Sequence, residues 1–466
     1  MNKQNIIDNK KVYNTLNSEK TYGELYINEI LDKALELNGI SEAEVLALLD
    51  NKNPSMELKI FSVANIIKKT IYGNRLVLFA PLYISNLCKN ICLYCAFSKN
   101  NTDIARQVLN QDEIKDETEQ LLKEGQKRIL LVAGEAYPKE GLKYIFNSIK
   151  TIYDTTTKDG NIKRINVNIA PLSTGDFKEL YKCNIGTYQL FQETYHEETY
   201  KKMHITGPKS DYNYRLEAIN RAFNAGFKDI GIGVLFGLYD FRYEVLALLA
   251  HIKYLEKYFG MGPHTISVPR IEPAASSYLS RHVPYPVNDY EFKKIIAVLR
   301  IAVPYTGIIL STRENSLLRR EALSLGVSQI SAGSRTNPGG YSCNTKKIIS
   351  EEQFSLGDTR SLREVIIDLV EERHIPSFCT GCYRLGRVGK DFMDLAKPGL
   401  IKEHCLPNAI FTFTEYLNNF ANDDLRKKGF NLINETLDKE IVNQKLKKII
   451  NNNILKINNG AKDIYL

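Results

Sequence analysis

The chain has no run of about 18 apolar residues, the length a helix needs to cross a bilayer, so no membrane partner is expected. Residues 1–15, MNKQNIIDNKKVYNT, lack the apolar core of a secretory signal, and we expect a soluble, cytoplasmic protein. No long basic block exists either: 62 Lys and Arg stand against 54 Asp and Glu, and the net charge of +8 is scattered, which argues against nucleic acid as a partner. Cysteine is scarce, with 8 in 466 residues, and six of them fall in two tight groups. Neither group has a fourth cysteine. A closed structural zinc site takes four protein ligands, and a disulfide framework belongs to short secreted chains, so two sets of three point to metal clusters with one open position.

The first set is Cys88, Cys92 and Cys95, a C-x3-C-x2-C spacing in the stretch PLYISNLCKNICLYCAFSKNN. Tyr94 precedes the last cysteine and Phe97 follows it. A 4Fe-4S cubane held by three thiolates leaves one iron free for a ligand that is not protein. With its aromatic neighbours the loop resembles the signature of the radical S-adenosylmethionine (SAM) enzymes. That resemblance implies that the open iron chelates the amino and carboxylate groups of SAM. Electron transfer into the sulfonium then yields a 5'-deoxyadenosyl radical, and a reductant such as flavodoxin or ferredoxin is implied with it.

The hydrophobic fraction of 43% supports a large core, and the length accommodates one α/β barrel of about 250 residues with appendages. Residues 1–72 read as a helical extension, with Ile30, Leu31, Ala34 and Leu37 at helical spacing and a capping box from Ser41 to Glu44. From residue 73, eight β-branched runs alternate with amphipathic segments: 76–84, 128–135, 164–171, 186–193, 229–236, 264–272, 307–314 and 327–334. Eight such units predict a closed (β/α)8 TIM-type barrel over residues 73–372, followed by a mostly helical iron-sulfur domain over 373–466.

A barrel of this kind works at the C-terminal ends of its strands. The conspicuous polar residues fall there: the first triad after strand 1, Gly134 and Glu135 at the end of strand 2, Glu193 at the end of strand 4, Arg313 at the end of strand 7, and Ser331 and Ser334 at the end of strand 8. Ala133-Gly134-Glu135 resembles the superfamily's Gly-Gly-Glu motif, which receives the amino end of SAM, with alanine in place of the first glycine. The bare strand from Ile230 to Val234, with Gly231 and Gly233, suits a flat adenine. The resemblance carries the ribose hydroxyls to Glu193 and the methionine carboxylate to Arg215, for which a helix-surface salt bridge is the alternative. Arg313 has the planar fork that matches a carboxylate. In aromatic amino-acid lyases of this superfamily an arginine at a comparable place fixes the substrate carboxylate; an ion pair with Glu314 or Glu321 is the alternative here.

The second set is Cys379, Cys382 and Cys405, spaced C-x2-C-x22-C, with Cys-Tyr-Arg and Gly-Arg following the pair and Leu-Pro-Asn-Ala following the lone cysteine. This stretch resembles the C-terminal domain of the tyrosine lyases of FeFe-hydrogenase maturation. A zinc ribbon using His404 is the alternative. The resemblance implies a second 4Fe-4S cluster, possibly with an additional iron held by His264, and places that histidine at the barrel mouth. It implies L-tyrosine as substrate, cleavage of its Cα–Cβ bond to p-cresol and dehydroglycine, and conversion of the latter at the second cluster to carbon monoxide and cyanide on iron. Other hydrogenase maturation proteins are then partners. Two rival readings stay open: a lyase of the thiamine-synthesis type whose second cluster is only redox-active, and a non-enzymatic cluster carrier. Cys183 and Cys343 read as idle thiols.

Overall fold

The computed structural model describes residues 5–18, 22–342 and 351–466. Four helices, Asn9–Leu16, Glu24–Ala34, Glu42–Asp50 and Pro54–Tyr72, precede the first strand. The capping box is present: the Ser41 side chain accepts from the Glu44 amide, and the Glu44 carboxylate accepts from that of Ser41. The second helix stops at Ala34, earlier than the periodicity suggested, because Leu37 has left the helix with φ 64°.

Eight parallel strands then close a barrel: β1 Arg75–Ser85, β2 Arg128–Ala133, β3 Arg164–Asn168, β4 Tyr188–Glu193, β5 Ile230–Val234, β6 Thr265–Ser267, β7 Gly307–Leu310 and β8 Val327–Ser331. Each pairs with the next, and β8 returns to β1 through Val77 with Gln329 to Phe79 with Ser331. Long crossover helices cover the outside, among them Gln111–Lys123, Phe241–Phe259 and Asp289–Ala302, and their apolar faces join one continuous core with the strands. Several strands are shorter than their apolar runs. β6 ends at Ser267, just before Pro269, which has no N–H to continue a ladder. Only an isolated bridge between Phe236 and Arg270 extends the pairing beyond it.

In the barrel sheet, one strand beyond the eight has no counterpart in the sequence reading. β9, Ile375–Ser377, pairs in parallel with residues Arg75–Val77 of β1. Val77 also pairs with Gln329, so β9 lies on the opposite edge of β1 from β8, below the point where β2 begins to pair at Ala80. Its proline, Pro376, is acceptable in a short edge strand. The following helices, including Gly381–Arg384, Lys390–Ala396 and Lys402–Asn419, are thereby anchored under the N-terminal end of the barrel. No helix among the described residues is long and apolar enough to cross a membrane.

Candidate active site

The C-terminal ends of the strands surround a cavity of about 190 Å³. Cys88, Cys92, Tyr94, Cys95, Ala133, Gly134, Glu135, Glu193, Arg215, Arg313 and Ser331 all line it, so the topology brings together most of the residues singled out by the sequence. The loop that carries the thiols is held on both sides. Ile91 and Cys92 pair with Thr206 and His204, and the Leu93 carbonyl accepts from the Ser277 hydroxyl at 2.7 Å. Tyr94 closes the arrangement through its hydroxyl, 2.8 Å from His204 Nε2. Gly134 is required here: a Cβ would stand 2.1 Å from the Leu87 carbonyl oxygen. The close approach expected at this glycine is therefore to the backbone of the cluster loop itself.

Two carboxylates and two cations are interleaved on one wall. Arg215 Nη1 lies 2.8 Å from Glu135 and its Nη2 3.4 Å from Glu193, while Lys209 Nζ lies 2.6 Å from Glu193. Asn90, inside the cysteine loop, donates to the other oxygen of Glu135 at 2.7 Å. Burial pushes both carboxyls up, but the two cations outweigh it and hold Glu135 and Glu193 below the usual carboxylate range. The helix-surface alternative for Arg215 fails, since its side chain is buried at this wall.

Arg313 differs from Arg215. Its guanidinium stacks 3.3 Å from the centroid of the Phe354 ring and donates weakly to the Arg270 carbonyl at 3.3 Å. No ion pair to a carboxylate is formed by Arg313 among the described residues, because Glu314 is taken by Arg270 and Glu321 by Lys293. Burial lowers its pKa, against the pull of Tyr83, Glu272 and Glu193.

Several expectations need correction. The space beside Gly231 and Gly233 is occupied by Gln189, Thr265 and Phe191, whose atoms a Cβ would meet at 2.5–2.9 Å, so these glycines make room for neighbouring side chains. The side chain of Val234 belongs to the core, and Leu235 lines the cavity instead. Ser331 faces the cavity, with its hydroxyl accepting from the Thr312 amide at 3.1 Å, but Ser334 is buried off the cavity and its hydroxyl has no partner among the described residues. Sequence reasoning missed Asn90, Lys209, Gln353 and Phe354. Gln353 Nε2 donates to Cys95 Sγ at 3.7 Å and its carbonyl accepts from Tyr83 at 2.8 Å. Asn90 was discoverable from its place between two cysteines; Lys209 sits in a single 3-10 turn, Pro208–Ser210, and Gln353 and Phe354 in an irregular segment, none of which carries a pattern.

The second triad is at the opposite end. Cys379, Cys382 and Cys405 line a smaller cavity of about 40 Å³ with Arg75, Arg128 and His264. Arg75 and Arg128 are the first residues of β1 and β2, and His264 immediately precedes β6, so this is the base of the barrel. The expectation of His264 at the mouth is thus overturned, while its expected place beside the second triad stands. Its Nδ1 is 3.2 Å from Asp229, and its ring packs 4.2 Å from that of Phe392. The Cys405 thiol is held below its usual value by the hydrogen bond from Cys382, with Arg75 and Arg387 adding to it. Arg128 donates to the Cys379 carbonyl at 3.0 Å, and Arg75 Nε is buried without a hydrogen-bond partner among the described residues. His404 is absent from this cavity lining and is engaged by Arg387 at 3.1 Å, which disfavours the zinc ribbon. Among the described residues no group of His, Cys, Asp and Glu is spaced to close on a single metal ion. A cubane, which spreads its thiolates over separate irons, fits both triads by donor type and number. Cys183 lies at a helix end away from either triad, and Cys343 lies outside the described residues.

The Radical SAM superfamily description matches residues 82–251, and the Biotin and Thiamin Synthesis associated domain matches 267–373. The fold and the mouth site therefore define a radical SAM enzyme, with a 4Fe-4S cluster and SAM implied by that class. The 2-iminoacetate synthase of Salmonella typhimurium is 31% identical over 71% of this chain and 84% of its own length, and that of Escherichia coli 28% over 77% and 92%. A crystal structure of HydG, a maturase of the FeFe-hydrogenase, superposes with TM-score 0.95 at 45% identity over 99% of this chain and 100% of its own. HydG from Carboxydothermus hydrogenoformans gives 0.83 at 41% identity, over 96% and 97%. The chain belongs to the HydG family of radical SAM lyases.

Proposed function

We propose that the chain cleaves L-tyrosine between Cα and Cβ at the barrel mouth, giving p-cresol and dehydroglycine, and that the dehydroglycine is converted at the base to carbon monoxide and cyanide on iron for hydrogenase assembly. The observation that carries this reading is Arg313: a guanidinium in the same cavity as three thiols and without a carboxylate partner among the described residues. A substrate carboxylate satisfies it in two-point geometry. Its stacking on Phe354 fixes the plane of the fork before substrate arrives.

Cys88, Cys92 and Cys95 would hold a 4Fe-4S cluster, which with SAM supplies a 5'-deoxyadenosyl radical. The neighbouring residues suit an amino-acid cofactor. Glu135, fixed by Asn90 and Arg215, presents a carboxylate to the SAM amino group, and Arg215 lies where a carboxylate is neutralised. Glu193 is within reach of the ribose hydroxyls in this reading. Tyr94, half-buried and bonded to His204, shields the thiol loop from water in this reading. At the base, Cys379, Cys382 and Cys405 would hold a second cluster and His264 an additional iron. Asp229, 3.2 Å from His264 Nδ1, is the carboxylate placed to orient that ring once iron is held, as carboxylates orient metal-binding histidines.

Anaerobic reconstitution with L-tyrosine, SAM and a low-potential reductant tests the reading. It predicts 5'-deoxyadenosine, p-cresol and iron-bound carbonyl together. Dehydroglycine without carbonyl would favour the redox-only second cluster, and clusters without 5'-deoxyadenosine the carrier.

A further inference from the structure

The three sulfurs at the mouth are not equivalent. Cys95 Sγ accepts a hydrogen bond from Gln353 Nε2 at 3.7 Å, whereas the sulfurs of Cys88 and Cys92 accept none among the described residues. At the base the comparable bond comes from the main chain, the Gly381 amide to Cys379 Sγ at 3.3 Å, and does not depend on a side chain. The bond at the mouth depends on one.

Both ends of the Gln353 side chain are engaged. Its carbonyl oxygen accepts from the Tyr83 hydroxyl at 2.8 Å, which leaves the NH2 end to face the sulfur. Tyr83 is itself buried, with its ring edge-on to that of Phe97 in the cysteine loop at 6.0 Å. The main chain at Gln353 is docked as well: its carbonyl accepts from the Ala96 amide at 3.3 Å, and its amide donates to the Thr336 carbonyl at 3.0 Å. The NH2 group is thus presented to Cys95 by contacts with three other residues, and its bond strengthens once the sulfur is a thiolate.

A cluster that gains an electron gains negative charge, and hydrogen bonds to its sulfurs are among the factors that set its potential. We propose that Gln353 tunes the mouth cluster: its bond to Cys95 makes the cluster easier to reduce, and Tyr83 holds the amide in the orientation that does so. The proposal rests on the radical SAM reading of the mouth. One electron passes from an external low-potential reductant, which is oxidised, to the cluster held by the three thiolates; no bond in the chain is made or broken.

The test is a reductive titration of the reconstituted holoenzyme with titanium(III) citrate, monitored by electron paramagnetic resonance on the signal that added SAM perturbs. We expect Gln353→Leu to make reduction about tenfold harder, which for one electron is a midpoint lower by about 59 mV. Gln353→Glu keeps an acceptor for Tyr83 but, while ionised, has no N–H for Cys95, and it should shift the midpoint further in the same direction. Tyr83→Phe leaves the donor present but unoriented, and a smaller shift of the same sign is expected. Iron content and thermal midpoint read packing alone, and Gln353→Glu, similar in size to glutamine, decides the matter if Gln353→Leu retains no cluster. A variant that loses iron while its remaining clusters keep the unaltered midpoint overturns the tuning role, as does an unshifted midpoint in both Gln353 variants. Formation of p-cresol by the unaltered chain is measured alongside: if it occurs while the midpoints do not move, only the tuning role falls, and if it is absent while they do move, the lyase reading falls.

Discussion

The mouth and the base of the barrel each present three thiols to a cavity, and they differ in the charge that surrounds them. At the mouth, two carboxylates, Glu135 and Glu193, are interleaved with Lys209 and Arg215, leaving Arg313 as the cation without a carboxylate partner. At the base, Arg75 and Arg128, each only 6% exposed, stand beside the thiols without any carboxylate ion pair among the described residues, and Asp229 faces His264 instead. The mouth is thus laid out for a zwitterion, with separate places for ammonium and carboxylate. The base offsets the negative charge of thiolates and provides one imidazole.

The comparison breaks most completely if the mouth triad is removed. Cys88→Ala, Cys92→Ala, Cys95→Ala should reduce 5'-deoxyadenosine and p-cresol to background while the base retains its iron, measured by product chromatography and metal analysis. Next in size is Arg313→Lys. An ammonium cannot supply the fork, and misplacement of the substrate by about 1 Å costs on the order of a hundredfold; the tyrosine dependence of p-cresol formation reads it, with 5'-deoxyadenosine formation much less affected.

Gly134→Ala should cost stability as well as activity. The added methyl meets the Leu87 carbonyl, and such overpacking costs about 1–3 kcal/mol, visible as a lower thermal midpoint. Asp229→Asn should act more mildly and only at the base, lowering iron content by less than one iron per chain while p-cresol stays at the unaltered level. The smallest effect concerns pH. Because Glu135 and Glu193 are held below the usual range in the folded chain, their stabilising contribution is present above the unfolded carboxyl value and is lost only as pH falls through their lowered values. Titration of thermal stability from pH 7 to 5 should therefore show no loss attributable to this wall, and Glu193→Gln should leave the slope in that window unchanged.

Much of this architecture was legible in the sequence because it rests on local patterns. Eight apolar runs gave eight strands, and the cysteine spacings marked both triads. What the sequence concealed was long-range. β9 is a three-residue strand containing a proline, too short for any periodicity, yet it places the second triad under the barrel, beside His264 at the start of β6. Lys209, in a single 3-10 turn, and Gln353, in an irregular segment, reach the site through the closure of the barrel. Gly231 and Gly233 were visible, but only the neighbouring strands reveal that Gln189 and Phe191 fill the space.

The central claim is that the two ends perform separable chemistries, and one sample measures both. In the double variant Cys379→Ala, Cys382→Ala, with L-tyrosine, SAM and dithionite, chromatography should find p-cresol and 5'-deoxyadenosine near the unaltered yield while infrared spectroscopy finds no iron-bound carbonyl bands. Carbonyl bands at the unaltered intensity would contradict the account, showing that the base triad is structural and that the carbonyl chemistry takes place elsewhere.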